Sequence, residues 1–287
     1  MKKEKLNHSQ SENTTLNTSR YLFVCLALLA FIACSKNPYK TTNRQYQNQA
    51  KQYGKLISLY PLQDSLNVLN SPYWVGTTNF NVRKPNFVVI HHTAQDNCDQ
   101  TLKTFTLTRT QVSAHYVICK DGRVYHMLND LLRAWHAGSG RWGNVSDLNS
   151  VSIGIELDNN GFEPFAEPQM QSLYVLLDRL KKAYGVPAAN FIGHADLAPT
   201  RKNDPNVYFD WKTMSNKGFG VWYDDTTGVQ LPMDFNAMQA FRIVGYDIKD
   251  TAAVMTTFKR KYMQQDKSRE FTEGDKKVLF MLMKKFL

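Results

Sequence analysis

The sequence predicts an α/β domain followed by a small three-helix C-terminal module. Apolar, β-branched runs at 87–91 and 151–157 are typical of buried strands, and a leucine stripe of helical spacing follows at 168–184. After Trp211 the character of the sequence changes, and three short stretches of helical character follow beyond residue 232. With 43% hydrophobic and 12% aromatic residues, the chain can bury a sizeable core.

The first elements in chain order are a strand, a helix and a hairpin. The run at 87–91 is continuously apolar, which predicts a strand buried on both faces. Residues 100–109 predict a helix. The pair Asp121-Gly122 lies between apolar runs at 114–119 and 123–127, and Asp-Gly in this position is a strong signal of a β-hairpin.

A long loop and a second buried strand follow. Residues 132–149 are rich in Gly, Trp, His, Ser and Asn, and a long loop inside a compact domain is usually functional. On the strand at 151–157, alternation places Ser152, Gly154 and Glu156 on one face. The two small residues beside the glutamate leave room for a substrate or a water molecule.

The remaining helices have clear end signals. Residues 168–184 carry a proline in the first turn and are followed by a glycine, both of which favour helix ends at these positions. Asp250 and Thr272 are suitable N-caps for the last two helices. The C-terminal helices are predicted at 234–244, 250–262 and 272–286.

The first 34 residues have the pattern of an export signal. A polar, basic stretch is followed by thirteen apolar residues, from Tyr21 to Ala33, and then by Cys34. Phe31 to Cys34 resembles the bacterial lipobox, in which the cysteine is acylated and anchors the protein to a membrane. An ordinary signal peptide and an uncleaved anchor are the alternatives.

Changes in composition set the other domain boundaries. Residues 35–55 are rich in Asn, Gln, Thr and Lys, which is typical of a flexible tether. The glycine-containing stretch at 217–232 predicts a linker, so that the α/β domain spans 56–216 and the helical module spans 233–287. Outside the export signal, Cys98 and Cys119 can form a disulfide or remain buried free thiols.

The formal net charge of +10 suits a protein that works on an anionic polymer. Nucleic acid is one such polymer, but the sequence contains no basic helix, zinc finger or RNA-binding motif. We therefore expect no nucleic-acid partner.

Two strand ends and one loop carry residues that bind metals. The run at 87–91 ends in His91, and a short predicted strand at 190–193 leads to His194, with Asp204 ten residues later. Zinc in hydrolases commonly takes three protein ligands and leaves a fourth position to water. His91, His194 and Asp204 could supply this set. The alternatives are a polar surface loop without metal, or a triad that uses His115, His126 or His136.

Glu156 and Lys202 are the candidate catalytic residues. A carboxylate at Glu156 could act as general base for the attacking water, or it could pair with Arg123 or Arg133. Lys202 precedes Asp204 by two residues and could stabilise an oxyanion, although an ordinary exposed lysine has the same spacing.

Five sequence blocks in this order resemble the zinc-dependent N-acetylmuramoyl-L-alanine amidases, a family shared with phage lysozyme-amidases and peptidoglycan recognition proteins. The resemblance covers residues 84–211, and its blocks are VVIHHTA at 88–94, VSAHY at 112–116, AWHAG at 134–138, SIGIEL at 152–157 and the loop at 193–205. Asn206-Val207 departs from the Gly-Pro that is frequent in the family, and this difference lies in the loop just after the proposed metal ligand Asp204.

The resemblance implies a central mixed β-sheet flanked by helices, a Zn²⁺ ion bound by His91, His194 and Asp204, and catalytic roles for Glu156 and Lys202. It implies hydrolysis of the amide between N-acetylmuramic acid and L-alanine in peptidoglycan or muropeptides. It also places two further residues, Trp135 and His136, near the substrate groove.

The sequence also resembles the outer-membrane lipoprotein type of this family. This resemblance implies a protein that faces the periplasm of a Gram-negative bacterium and carries a C-terminal peptidoglycan-binding module, and we expect a monomer. Two other functions remain open, a catalytically silent peptidoglycan receptor and a zinc peptidase that cuts within the stem peptide.

Overall fold

The computed structural model describes residues 37–58, 76–264 and 270–287, and it divides the chain into two compact units, Met1–Gly76 and Thr77–Leu287. The first unit contains helix α1, Lys40–Ser58, none of whose residues is buried. The span predicted as a flexible tether is thus helical where it is described, because its Lys, Gln, Arg, Ala and Leu residues are good helix formers, and its role as a tether stays a prediction. The predicted export signal and Cys34 lie outside the described residues.

Nowhere in those described ranges does a helix have both the length and the apolar character needed to cross a membrane.

The second unit is built on a five-stranded mixed sheet with the order β3-β2-β4-β1-β5. Strand β1, Phe87–His92, lies between β4, Ser152–Leu157, and β5, Phe191–Gly193, and pairs in parallel with both. Strand β2, Tyr116–Ile118, runs parallel to β4, and β3, Val124–His126, is antiparallel to β2. The predicted mixed sheet and the hairpin are confirmed, with shorter hairpin strands than predicted.

Helices flank the sheet and complete the C-terminal module. The helix predicted at 100–109 begins earlier, because Asn97 caps it by accepting a hydrogen bond from the Gln100 N–H, and a single 3₁₀ turn at Thr108–Thr110 follows its end. Asp250 and Thr272 are N-caps, as predicted. The remaining described helices are α2 Cys98–Thr106, α3 Leu148–Val151, α4 Glu167–Tyr184, α5 His194–Leu197, α6 Trp211–Asn216, α7 Ala237–Val244, α8 Thr251–Tyr262 and α9 Glu273–Met283.

The two faces of the sheet belong to two different cores. Val88 and Ile90 pack with the leucines of α4 on one face. Val89, on the other face, belongs to a core that includes Phe241 and Phe258 of the C-terminal helices. Because residues alternate along a strand, His91 lies on the same face as Val89. The C-terminal helices therefore share the core that lies beneath the His91 side of the sheet.

Truncation of a core residue in the C-terminal helices tests this shared core. Phe258 is fully buried and contacts Phe241 with ring centroids 5.4 Å apart. We expect Phe258→Ala to lower the free energy of unfolding by about 3–5 kcal/mol, in a single transition seen by both far-UV and near-UV signals in urea. The exposed Thr256→Ala on the same helix is the control and should change it by less than about 0.5 kcal/mol. A separate early transition of the helices would contradict the shared core.

Candidate metal centre

The register of the sheet brings three candidate residues to one edge. His91 is directly opposite Glu156 in the β1–β4 pair. In the β1–β5 pair Ile90 is opposite Gly193, so the next residues, His91 and His194, are neighbours. Because all three strands are parallel, their carboxyl ends meet at the same edge, and the loop after β5 brings Asp204 to the same place.

His91, His194 and Asp204 converge on a single point. The Nδ1 atom of His91 lies 2.9 Å from Nδ1 of His194 and 3.0 Å from Oδ2 of Asp204, and the His194–Asp204 distance is also 3.0 Å. All three side chains are buried. Among the described residues this is the one group of three or more His, Cys, Asp or Glu whose ligand atoms lie close enough to share an ion.

The protonation of these groups favours a bound cation. Burial, with His194 beside it, lowers the pKa of His91 to about 4, so this ring is neutral. Burial alone would raise the pKa of Asp204, but the neighbouring imidazoles of His194 and His91 hold it well below its usual value. Nε2 of His194 lies 2.9 Å from the carbonyl oxygen of Ala137, which can only accept, so Nε2 carries a proton and Nδ1 is the nitrogen that can bind a cation.

These residues fit a zinc ion. Two imidazole nitrogens and one carboxylate oxygen match the ligand chemistry of zinc hydrolases. In a tetrahedral site with zinc–ligand bonds of about 2.0–2.1 Å, ligand atoms lie roughly 3.3 Å apart, close to the distances of 2.9–3.0 Å found here. A divalent cation would also remove the repulsion between two nitrogen lone pairs at this separation.

Glu156 lies beside the cluster with one oxygen unused. Its Oε1 atom is 4.0 Å from Nδ1 of His91, and its Oε2 atom is buried without a hydrogen-bond partner among the described residues. Burial, followed by the charge of Asp204, raises the pKa of Glu156 to about 8. Neither alternative partner pairs with it, because Arg123 binds Asp121 and Arg133 binds Asp147.

Lys202 is close enough for its charge to act on the cluster. Its positive charge lowers the pKa values of Glu156 and His91. The side chain is partly exposed, and within the described part of the chain no hydrogen bond or ion pair holds its ammonium group. The ammonium group is therefore available to an anionic ligand.

The loop at 134–138 has two different environments. Trp135 is 48% exposed, and its predicted substrate contact stays a prediction. His136 is buried, and its ring lies on Gly154, where an added Cβ would come within 2.4 Å of the ring. The small residues Ser152 and Gly154 therefore make room for His136, which corrects the interpretation that they leave space for substrate or water.

The other histidines considered as ligands lie elsewhere. His115 accepts a hydrogen bond from the Gly154 N–H at Nδ1 and contacts Arg83 through Nε2. His126 pairs with Asp130. Neither belongs to the ligand cluster, so the triad that uses His91, His194 and Asp204 is the arrangement that the structure favours over these alternatives.

The C-terminal helices hold the loop that carries His194. Both oxygens of Asp196, in α5, are used: Oδ1 accepts a hydrogen bond from the Tyr246 hydroxyl, and Oδ2 binds the Lys261 ammonium and the Gly193 N–H. Lys261 also lies 4.1 Å from the centroid of the Trp211 ring. Sequence analysis missed Asp196, because nothing in the sequence connects it with a tyrosine 50 positions away and a lysine 65 positions away.

Asn206 connects the metal loop to the loop that follows β4. Its amide nitrogen donates to the Oδ1 atom of Asn159 and to the carbonyl oxygen of Glu163, each at 3.0 Å, and the side chain is buried. The preceding Asp204–Pro205 peptide bond is cis. Asn206, which follows the aspartate–proline pair, thus joins the two loops through hydrogen bonds.

Cys98 and Cys119 form a disulfide that joins the start of α2 to the residue after β2. The sequence left this pairing undecided. Their Cα atoms lie 5.4 Å apart, which is the usual separation for a disulfide.

The parallel strand ends and the His-His-Asp cluster can be compared with known proteins. Residues 81–207 match the profile of a family described as N-acetylmuramoyl-L-alanine amidase.

Individual relatives are also named as amidases. The chain is 37% identical over 153 residues to the N-acetylmuramoyl-L-alanine amidase AmiD of Escherichia coli. This alignment covers 48% of this chain and 54% of AmiD. It is 39% identical over 103 residues to the 1,6-anhydro-N-acetylmuramyl-L-alanine amidase AmpD of Haemophilus influenzae, covering 36% and 56% of the two chains. The chain thus spans about half the length of the curated relatives it matches.

Two solved structures share the fold over most of their length. The complex of Escherichia coli AmiD with anhydro-N-acetylmuramic acid-L-Ala-D-gamma-Glu-L-Lys superposes with a TM-score of 0.64 and 27% identity, covering 73% of this chain and 93% of that one. AmpDh3 of Pseudomonas aeruginosa gives a TM-score of 0.65 and 26% identity, covering 79% and 99%. Both coverages extend well beyond the matched 127-residue profile, so the similarity includes elements outside it.

Proposed function

We propose that this chain hydrolyses the amide bond between N-acetylmuramic acid and L-alanine in peptidoglycan or its anhydro-muropeptide fragments. The observation that carries the proposal is the convergence of two imidazole nitrogens and a carboxylate beside a buried glutamate oxygen that has no partner in the described structure. The names of the relatives, and the anhydro-muropeptide in the AmiD complex, support this substrate class.

His91, His194 and Asp204 would hold the zinc ion. When bound, zinc supplies a Lewis acid for the scissile carbonyl and lowers the pKa of water.

Three side chains supply proton transfer, charge stabilisation and substrate contact. Glu156 accepts the proton of the attacking water through its unpartnered oxygen and delivers it to the departing amine nitrogen of L-alanine. The ammonium group of Lys202 stabilises the negative charge that develops on the carbonyl oxygen. Trp135, exposed in the loop at 134–138, offers an aromatic surface to the substrate.

We also propose that the protein is attached through Cys34 to the outer membrane and faces the periplasm. The lipobox-like sequence supports the attachment. The disulfide between Cys98 and Cys119 supports an oxidising compartment, since such bonds persist outside the cytosol. The C-terminal helices, which share a core with the sheet, remain a proposed contact for the glycan strand.

Product analysis tests the proposed reaction. Zinc-loaded protein is incubated separately with an anhydro-muropeptide and with intact sacculi, and the products are separated and identified by mass spectrometry. From the anhydro-muropeptide we expect the anhydro-sugar without its peptide and a stem peptide with a free N-terminal L-alanine. From sacculi we expect stem peptides with the same free N-terminus, while the glycan strands stay joined. Cleavage within the stem would identify a peptidase, and a folded protein that binds muropeptide without stoichiometric zinc or turnover would identify a receptor.

A further inference from the structure

The two imidazoles of the metal centre turn their second ring nitrogens toward one short segment, His136–Ala137. Nε2 of His194 is 2.9 Å from the Ala137 carbonyl oxygen, and Nε2 of His91 is 3.0 Å from Nδ1 of His136. The carbonyl fixes the proton of His194 directly, because it can only accept. The proton of His91 depends on the state of the His136 ring.

A chain of hydrogen bonds fixes that state. The hydroxyl group of Ser152 donates to the carbonyl oxygen of Leu148, so its oxygen is left to accept from Nε2 of His136, 3.1 Å away. With its proton on Nε2, the buried neutral ring of His136 presents Nδ1 as an acceptor. His91 must then carry its proton on Nε2, which leaves Nδ1 bare and directed at His194 and Asp204.

The segment itself is held rigidly. Oδ1 of Asn149 accepts hydrogen bonds from the backbone N–H groups of His136 and Ala137, at 3.0 and 2.9 Å. Gly154 gives the ring of His136 its place, because a side chain there would overlap the ring. Arg201 also donates to the Ala137 carbonyl, at 2.9 Å.

We propose that His136 is a positioning residue whose hydrogen bonds to Ser152 and His91 fix the tautomer in which His91 can bind the metal. This inference rests on the zinc site of the proposed function. It gives the histidine of the AWHAG block a role behind the metal ligand instead of in the substrate groove. Outer-shell partners of this kind orient ligands and typically change metal affinity by about 10–100-fold when removed.

The first test removes the Ser152 hydroxyl group, at which the series of hydrogen bonds to His136 and His91 begins. In Ser152→Ala, His136 can place its proton on either nitrogen, and a proton on Nδ1 would force His91 into the tautomer that cannot bind. We expect zinc affinity, measured by competition with a chelator, to fall by about 10–100-fold. We also expect ¹⁵N NMR of the metal-free protein to show a population of His91 protonated on Nδ1, which the wild type lacks.

Matched variants separate this effect from loss of packing. Ser150→Ala removes a nearby hydroxyl group that is hydrogen-bonded to Asp147 and Arg133 and takes no part in the hydrogen bonds to His136 and His91. This variant should leave zinc affinity unchanged. His136→Leu removes the acceptor while keeping bulk, and His136→Asn places a carbonyl oxygen close to the Nδ1 position. We expect the asparagine variant to bind zinc more tightly than the leucine variant, and its kcat to approach that of the wild type at saturating zinc.

The outcomes are distinguishable from failure of the proposed function. Wild-type protein that never holds stoichiometric zinc overturns the metal site itself. Wild-type zinc binding together with wild-type affinity in folded Ser152→Ala and His136→Leu overturns the positioning role alone. Equal losses in the leucine and asparagine variants also overturn it, because they would show that the bulk of the ring matters and its acceptor does not.

Discussion

Glu156→Gln is expected to lower kcat by about 10²–10⁴-fold while zinc remains bound. The substitution keeps the size of the side chain but removes its ability to accept a proton. Glu156 lies 4.0 Å from His91 and outside the group of three ligands, so the metal should stay in place. Release of the stem peptide by mass spectrometry and zinc content by elemental analysis give the two readings.

Glu163→Gln is the matched control. Its carboxylate pairs with Lys120, so the same chemical change occurs near the site without touching the cluster, and we expect most activity to remain. Loss of zinc from folded Glu156→Gln would make Glu156 a ligand instead of a base. Turnover at the wild-type rate would remove it from the reaction altogether.

His194→Ala should abolish zinc binding and hydrolysis together. The substitution removes one of three protein ligands, so the loss of zinc affinity should exceed the roughly 10–100-fold that an outer-shell partner costs. A ligand that binds only the folded state stabilises it, by about 2.7 kcal/mol at one hundred times Kd. Added zinc should therefore raise the thermal midpoint of the wild type and leave that of the variant unchanged.

His126→Ala is the corresponding control, because His126 pairs with Asp130 at the hairpin and lies outside the ligand cluster. It should take up zinc and respond to it as the wild type does. Normal zinc content and activity in His194→Ala would contradict its role as a ligand.

The strands that carry the site were predictable because their signals are local. The continuous apolar run before His91 and the alternation around Glu156 identify buried strands, and parallel strands of one sheet must end at a common edge. The positions of His91, Glu156 and His194 at that edge follow from these patterns. The sequence resemblance supplied the choice among several histidines, which spacing alone left open.

The features that sequence analysis missed depend on contacts between distant residues. His136 has the composition of a loop residue, and only the folded chain shows its ring between His91 and Ser152. The bonds of Asp196 to Tyr246 and Lys261 cross between regions predicted as separate domains. Helix α1 was missed for another reason, since the polar composition of its span is also typical of a flexible linker.

The bonds of Asp196 also determine how this protein can be redesigned. Ending the chain after α6 would remove Lys261 and Tyr246, leave a carboxylate uncompensated two positions from His194, and uncover the sheet face around Val89. Breaking a buried ion pair in this way costs about 3–5 kcal/mol. The sheet with its metal-binding cluster should therefore not be exchanged without the C-terminal helices. Chimaeras should be joined before β1 and should keep the chain from β1 through α9 unbroken.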